Sequence, residues 1–326
     1  MWNEHAARKR RSDAATKGRH ARRPTAPARA AGLFVVVLAC SAPAVGPKLR
    51  DYAAEPLVDP TERVAAKLRI VSLAPSATEI VAALGLADQL VARTPYCTHP
   101  AAVRGATIVG GLVDLDVERL VALRPDRILL SGHSRLQAEK LRAAGLAYTS
   151  LPDATLEDIF TAIRVAGDAL GRPKTARRVC GAIRADLQRV QKAYARLPRR
   201  RVLVVLGELG DPPGPVFVAG PGSFYDDLLR LAGQRNVAPA SHGAFAPLAL
   251  ESIVRADPEV IIQLAPEPGH AAPPEQTLAR WRRVGSLSAV RERRIVTLAG
   301  AVYYVPGPRV AFILRDLCRA LAGENP

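Results

Sequence analysis

Two glutamates, Glu118 and Glu251, occupy the same place in two similar stretches of the chain. Leu115-Asp116-Val117-Glu118-Arg119-Leu120-Val121 is matched by Leu248-Ala249-Leu250-Glu251-Ser252-Ile253-Val254. In both, three residues follow, then Pro125-Asp126 or Pro258-Glu259, then Ile128-Leu129 or Ile261-Ile262. Similarity at a fixed offset over one supersecondary unit predicts two lobes of like topology. A glutamate in the first turn of a short helix compensates the helix dipole. Two at matched positions also form a pair of acidic knobs able to dock a symmetric basic partner and set its register by charge. The residues alone leave both readings open.

A second group could hold a ligand. Tyr96, Phe245, Tyr303 and Tyr304 fall after strands or in loops. Aromatic faces with a few polar groups suit a large planar or chelate ligand. His99, His133 and His242 could reach one cleft, as ligands of a metal ion with carboxylates from both lobes or as a single axial ligand to a chelated metal. No spacing among them matches a fixed metal motif. Glu208 and Asp211 precede the stiff Pro212-Pro213-Gly214-Pro215 loop, a candidate cleft wall or a surface turn. Catalytic signatures are missing. There is no G-x-S-x-G elbow and no P-loop, and Gly220-Pro221-Gly222 is not a dinucleotide fingerprint. The reading is a binding protein, not an enzyme.

The elements that must position these residues alternate. Arg69–Leu73 reads as a strand, and Pro75-Ser76-Ala77-Thr78-Glu79 leads into a helix ending at Gly85, with Ser76 and Glu79 at capping-box spacing. The Pro75-Ser76 turn should carry free backbone N–H groups at the carboxyl edge of a parallel sheet, where ligands bind. Strands follow at 127–130 and 146–151, with helices at 117–123 and 136–144. Such alternation predicts a parallel sheet. From 156 to 197 the pattern is helical, broken only at Gly171-Arg172-Pro173. A helix over 174–197 would span about 35 Å and could join two lobes. Strand–helix alternation then restarts, with strands at 201–206, 216–218, 260–262 and 294–298. Helices are expected at 224–231 and 310–321. The expected fold is α/β, two Rossmann-like lobes with parallel-rich sheets joined by one long rigid helix. The expected boundaries are an N-terminal lobe at 68–170, the interlobe helix at 171–198 and a C-terminal lobe at 199–326.

Composition fits this. The chain has 326 residues, 48% hydrophobic and 23% charged, enough for about two domains. The net charge of +16 is concentrated at the start, where residues 1–50 hold 11 of the 46 Lys/Arg and 2 of the 30 Asp/Glu. No basic run with interleaved aromatics lies beyond it, so nucleic acid is not an expected partner. Arg8–Arg29 is basic, 30–39 is apolar, and Cys40-Ser41-Ala42-Pro43 follows. A charged, then apolar, then small-residue order makes 1–40 an export signal. Val37-Leu38-Ala39-Cys40 resembles a bacterial lipobox, which marks Cys40 for lipidation. Residues 41–67, with four prolines, read as a flexible tether. Beyond Cys40 stand Cys97, Cys180 and Cys318, whose pairing the sequence does not assign.

The body, about residues 69–322, resembles the periplasmic substrate-binding proteins of cobalamin and iron-siderophore ABC importers, closest to the cobalamin-binding branch. The segments that carry the resemblance are RIVSLAPSATEIVAALG (69–85), YCTHP (96–100), VERLVALRPDRILL (117–130), GPGSFYDDLLRLAGQRNV (220–237), LESIVRADPEVII (250–262) and VPGPRV (305–310). The resemblance implies the class III fold, two lobes on one rigid helix with the ligand between them. It implies that Glu118 and Glu251 dock onto arginines of a dimeric permease driven by a separate ATPase. It places Tyr96 where that branch has a ring-contacting tyrosine, and Phe245 where it has a tryptophan. Leu112 and Ser131 stand where it has two further tryptophans, which removes flat aromatic area. Cys318 matches a disulfide cysteine of that branch, with Ala232 at its partner's position. The expected ligand set is Pro75, Ser76, Tyr96, Leu112, Phe245, Tyr303 and Tyr304. The expected ligand is a corrinoid, cobalamin or cobinamide, with a ferric siderophore or haem as the alternative and no permanently bound cofactor. Behind these stand a zinc- or manganese-binding protein, a non-transport sensor lipoprotein and a two-lobe enzyme. The expected state is a monomer outside the cytoplasm, touching the membrane only through a lipid on Cys40.

Overall fold

The computed structural model describes residues 46–62, 67–240, 243–267, 269 and 271–324. The first half holds β1 (Ile70–Ser72), α1 (Pro75–Ala83), β2 (Leu90–Arg93), β3 (Thr107–Ile108), α2 (Val117–Ala122), β4 (Arg127–Ser131), α3 (Arg135–Ala143), β5 (Thr149–Leu151) and α4 (Leu156–Ala169). The strands form a wholly parallel sheet in the order β3-β2-β1-β4-β5. Its central strands are buried on both faces, as parallel strands covered by helices must be. Helix α5 (Pro173–Ala193) follows and extends about 31 Å.

The second half comprises β6 (Arg201–Leu206), β7 (Val216–Ala219), α6 (Phe224–Leu231), β8 (Arg235–Asn236), β9 (Phe245–Leu248), α7 (Leu250–Ala256), β10 (Val260–Ala265), α8 (Pro274–Arg282), α9 (Ser288–Arg291), β11 (Ile295–Ala299) and α10 (Val310–Ala322). The sheet order is β11-β10-β6-β7-β9, with β8 also on β6. β7 is antiparallel to both its neighbours. The architecture is the expected α/β one, with parallel-rich sheets.

The internal repeat is a repeat of structure. β1 pairs with β4 through Ile70 and Arg127, and β6 pairs with β10 through Val202 and Val260. The Arg69 N–H donates to Asp126 Oδ2 at 2.7 Å, and the Arg201 N–H donates to Glu259 Oε2 at 2.8 Å. Leu120 and Ile253 are each fully buried. The turns after α2 and α7 pass through left-handed residues at matched places, Arg124 at φ 46° and Asp257 at φ 41°.

One apolar cluster is shared by both halves. It runs from α1 and α4 through Val179, Ile183 and Val190 of α5 and Ile313 and Leu317 of α10 to Val204 and Ile262. Each sheet covers its other face with a cluster of its own, one around Leu130 and Leu141 and one around Val205 and Trp281. The halves are also stitched by polar bonds. Arg309 Nε donates to Glu79 Oε2 at 3.0 Å, and its Nη2 donates to Oε1 at 2.5 Å. The Phe224 N–H donates to Ala154 O at 2.6 Å, and the Leu156 N–H donates to Asp227 Oδ2 at 2.9 Å.

Three expectations change. Residues 46–62, read as part of a tether, pack onto the body. Tyr52 is buried and donates to Asp186 at 2.8 Å, and Glu62 accepts the first N–H groups of α5 from Lys174 and Thr175. The Ser76–Glu79 capping box does not form. Proline fixes the first turn, so α1 begins at Pro75 behind Ala74, and Glu79 turns into the seam where a guanidinium offers two charge-assisted bonds. The strand expected over 146–151 is confined to Thr149–Leu151.

Candidate functional site

A cavity of about 200 Å³ is lined by residues from both halves: His133 and Asp153 on one side, and Leu206, Phe224, Tyr225, Phe245, Tyr303, Tyr304 and Pro306 on the other. The first two leave the carboxyl ends of β4 and β5, the edge at which α/β sheets bind ligands. Phe224 and Tyr225 are set by Ser223, which caps α6 by accepting from the Asp226 N–H at 3.2 Å. Phe224 stacks tilted on Tyr225 with centroids 4.2 Å apart, and Phe245 lies 6.4 Å from Phe224.

The tyrosine hydroxyls are committed. Tyr303 donates to Asp316 Oδ2 at 3.1 Å, Tyr304 donates to Leu264 O at 2.7 Å, and Tyr225 donates to Tyr303 O. Burial, reinforced by Asp316, raises the Tyr303 phenol far above the usual tyrosine range. Burial, with the Glu208 charge, raises Tyr304 as well. These rings therefore offer faces and edges, not phenolates.

On the opposite wall, Asp153 is largely buried. It accepts from Ser131 Oγ with one carboxylate oxygen and meets His133 Nδ1 with the other. The His133 ring is 66% exposed.

Of the sequence-derived ligand set, the cavity brings together Phe245, Tyr303 and Tyr304. Tyr96 is 70% exposed and Leu112 52% exposed, on neighbouring loops of the first sheet, with the Tyr96 ring against Gly111. Ser76 is buried beneath Gly307, and Pro75 is half-buried; neither lines the cavity. His99 is 2.9 Å from Asp51 and does not line the cavity. His242 lies outside the described residues, as does Cys40. Glu208 pairs with Arg280 of α8 and Asp211 with Arg283 just after it, and neither acid lines the cavity. Asp153, Phe224 and Tyr225 escaped the sequence reading. The available signal was the G-P-G-S cap, which aims two aromatics from the first turn of a helix. Among the described residues no three His, Cys, Asp or Glu gather to hold a metal ion. Cys97, Cys180 and Cys318 are free and buried. Burial pushes Cys180 up to about 11 and Cys318 up to about 12.

Away from the cavity, Glu118 and Glu251 are both exposed in the first turns of α2 and α7 and pair with no described residue. Val121 and Val254, three residues on, are 50% and 45% exposed.

The periplasmic binding protein family model Peripla_BP_2 matches residues 70–302. An ABC transporter substrate-binding lipoprotein of Bacillus subtilis, YvrC, is 26% identical over 259 residues, 78% of this chain and 79% of its own. The vitamin B12-binding protein of Vibrio parahaemolyticus is 24% identical over 252 residues, 77% of this chain and 88% of its own. Among solved structures, the periplasmic haem-binding protein BhuT, in complex with two haems, has a TM-score of 0.68. It is 27% identical, covering 79% of this chain and 99% of its own. The vitamin B12-binding protein BtuF of Vibrio cholerae has the same fold, with a TM-score of 0.64 at 24% identity over 78% of this chain and 97% of its own. The chain belongs to the periplasmic binding protein family and has the class III fold of these relatives.

Proposed function

We propose that the chain is the extracytoplasmic substrate-binding component of an ABC importer, and that it captures a large metal chelate, a tetrapyrrole before any other, between its two lobes. The observation that carries this reading is the aromatic cavity drawn from both halves. At about 200 Å³ it is smaller than the roughly 300–1,000 Å³ of whole-ligand sites. On this reading it takes one edge of a large ring and leaves the remainder outside the cavity. A corrinoid is the first candidate, with haem and then a ferric siderophore behind it; relatives that bind vitamin B12 and haem support this range.

Delivery is assigned to Glu118 and Glu251. Their matched positions in a repeated unit suit a permease dimer that presents two basic patches. The shared core and α5 favour small closure over a wide hinge. Among the described residues no helix is long and apolar enough to cross a membrane. Anchoring is assigned to a lipid on Cys40, in line with the lipoprotein relative.

The test is calorimetric titration of the purified full chain with cyanocobalamin, aquocobinamide, haemin and ferric siderophores. One-to-one binding of a tetrapyrrole is expected. Binding of a siderophore alone keeps the importer role and moves the substrate, whereas silence toward all of them contradicts the ligand assignment.

A further inference from the structure

We infer that the outer face of α5 docks onto an anionic phospholipid surface and holds the chain there with its cleft turned away from the lipid. The first observation is one of charge. Residues 172–200 hold ten Lys/Arg and a single acid, Asp186. All other residues from 51 to 326 together hold 25 Lys/Arg and 27 Asp/Glu, so the net positive charge of the body lies on this one helix and its exit. Within α5, Lys174, Arg177, Arg178, Arg184, Arg189 and Lys192 are all exposed. At about 3.6 residues per turn they share one face, roughly 140° wide, with only Gly181, Ala185 and Gln188 among them. Arg178 meets Asp59 at 3.4 Å, Arg184 meets Glu157 at 3.2 Å, and Arg189 meets Asp186. Arg177, Lys192 and, beyond the helix, Arg196 and Arg199 are exposed and pair with no described residue.

The place of α5 in the fold decides what this face can meet. Helix α4 leaves the carboxyl end of β5 and returns to the amino edge of its sheet, where Arg127 Nε, at the start of β4, donates to Ala169 O at 3.0 Å. Helix α5 begins there and ends just before β6, so both its ends lie at the amino edges of the sheets. The cavity and the first turns of α2 and α7, with Glu118 and Glu251, lie at the carboxyl edges. The basic face and the two glutamates are therefore on opposite sides.

The entry of the chain selects the polyanion, and here the inference rests on the anchoring assigned to Cys40. A Cβ on Gly46 would lie 3.2 Å from Tyr194 Oη, at the end of α5, and 3.4 Å from Arg315 Cγ. Arg189 Nη2 donates to Lys48 O at 3.5 Å, and Lys48 and Arg50 add two exposed cations. Cys40 stands six residues before Gly46, a length of chain that reaches at most about 21 Å. A lipid on Cys40 thus keeps the basic end of α5 near the headgroups. Clustered Lys and Arg bind an anionic bilayer surface over about a Debye length, roughly 10 Å at 0.1 M salt. In this pose the cleft opens to solvent and the glutamates point away from the lipid. Capture and delivery then use two orientations of one chain.

The experiment sediments the full, unlipidated chain with vesicles of phosphatidylcholine alone and with vesicles that also contain phosphatidylglycerol, at low and high salt. Binding to the phosphatidylglycerol vesicles only, released by salt, is expected. Acetylation of lysines on the bound chain should spare Lys48 and Lys192 and leave the reactivity of Lys140, on α3, unchanged. Arg177→Gln, Lys192→Gln, Arg196→Gln and Arg199→Gln together should weaken binding at least about a hundredfold. Gln188→Lys, which adds a charge to the same face, should tighten it about fivefold. These side chains are exposed, so the changes leave the fold intact. The basic segment Arg8–Arg29 is common to every variant and produces no difference between them. No binding by wild type, equal binding by the fourfold variant, equal binding to the neutral vesicles, or shielding of Lys140 along with Lys192 would each overturn the inference. So would binding to soluble polyphosphate with none to vesicles. The importer role stands in every one of these cases, because chelate titration tests it separately.

Discussion

After α2 the chain turns through Arg124, and after α7 it turns through Asp257, both in the left-handed region at matched places. The Arg124 N–H donates to Val121 O, and its side chain has no partner among the described residues. Asp257 accepts from the Ser288 N–H and from Ser288 Oγ, both at 2.7 Å, which ties α7 to α9. The same contrast runs through the two lobes. Each repeats the strand register, the acidic clamp on the preceding strand and the exposed glutamate. They diverge at the cleft, where the first lobe supplies a polar histidine–carboxylate pair and the second a floor of pinned aromatics. Under the proposed docking role, the common frame would serve a partner that is the same on both sides. The divergent walls would give the proposed ligand two chemically different faces.

Four experiments press on that contrast. The largest effect is expected from removing what the lobes share. Glu118→Ala with Glu251→Ala should abolish uptake in cells carrying the cognate permease while leaving ligand affinity unchanged. Each single change should give a partial loss of similar size. Loss of ligand binding in the double variant would sink the docking role.

Next comes the seam. Glu79→Ala leaves the Arg309 guanidinium, 16% exposed, without its partner. A broken buried pair costs about 3–5 kcal/mol, to be read from denaturant unfolding. A change under 1 kcal/mol would show that the seam is not sealed.

The third experiment makes one substitution at two matched sites. Arg124→Gly relieves a strained φ and should raise stability by about 0.5–1 kcal/mol. Asp257→Gly relieves the same strain but loses both Ser288 bonds, a net cost of about 1–2 kcal/mol. Equal effects at the two sites would deny the division of labour.

The smallest effect is with pH. The Ser288 N–H and then its hydroxyl hold the Asp257 carboxyl below its usual range. Its contribution is therefore complete above about pH 4, the unfolded carboxylate value. It fades as pH falls through the lowered folded value. Asp257→Asn should flatten this part of the acid-stability curve, and substitutions at Arg124 should not touch it.

Much of the frame was legible because it is local or repeated. The Leu-x-x-Glu repeat located both knobs, and the strand–helix alternation gave the fold. Helix α6, over Phe224–Leu231, could be read from its Ser223 cap and the glycine after it. What stayed hidden depends on partners far along the chain. The segment 46–62 looks like a tether until Asp186 and Thr175, more than 110 residues away, are seen to hold it. Glu79 looks like a cap until Arg309 appears beside it. His133 and Asp153 are 20 residues apart and meet only because β4 and β5 end side by side. Tyr303 was readable as a cavity residue, but the direction of its hydroxyl, toward Asp316, was not.

The central claim is that one ligand is held by both lobes at once. Hydrogen exchange of the full chain, with and without saturating haemin or aquocobinamide, tests it most directly. Slowed exchange is predicted at both 131–156 and 301–306, with the same dependence on ligand concentration. Protection confined to one of these segments, or no protection with either chelate, would contradict the claim.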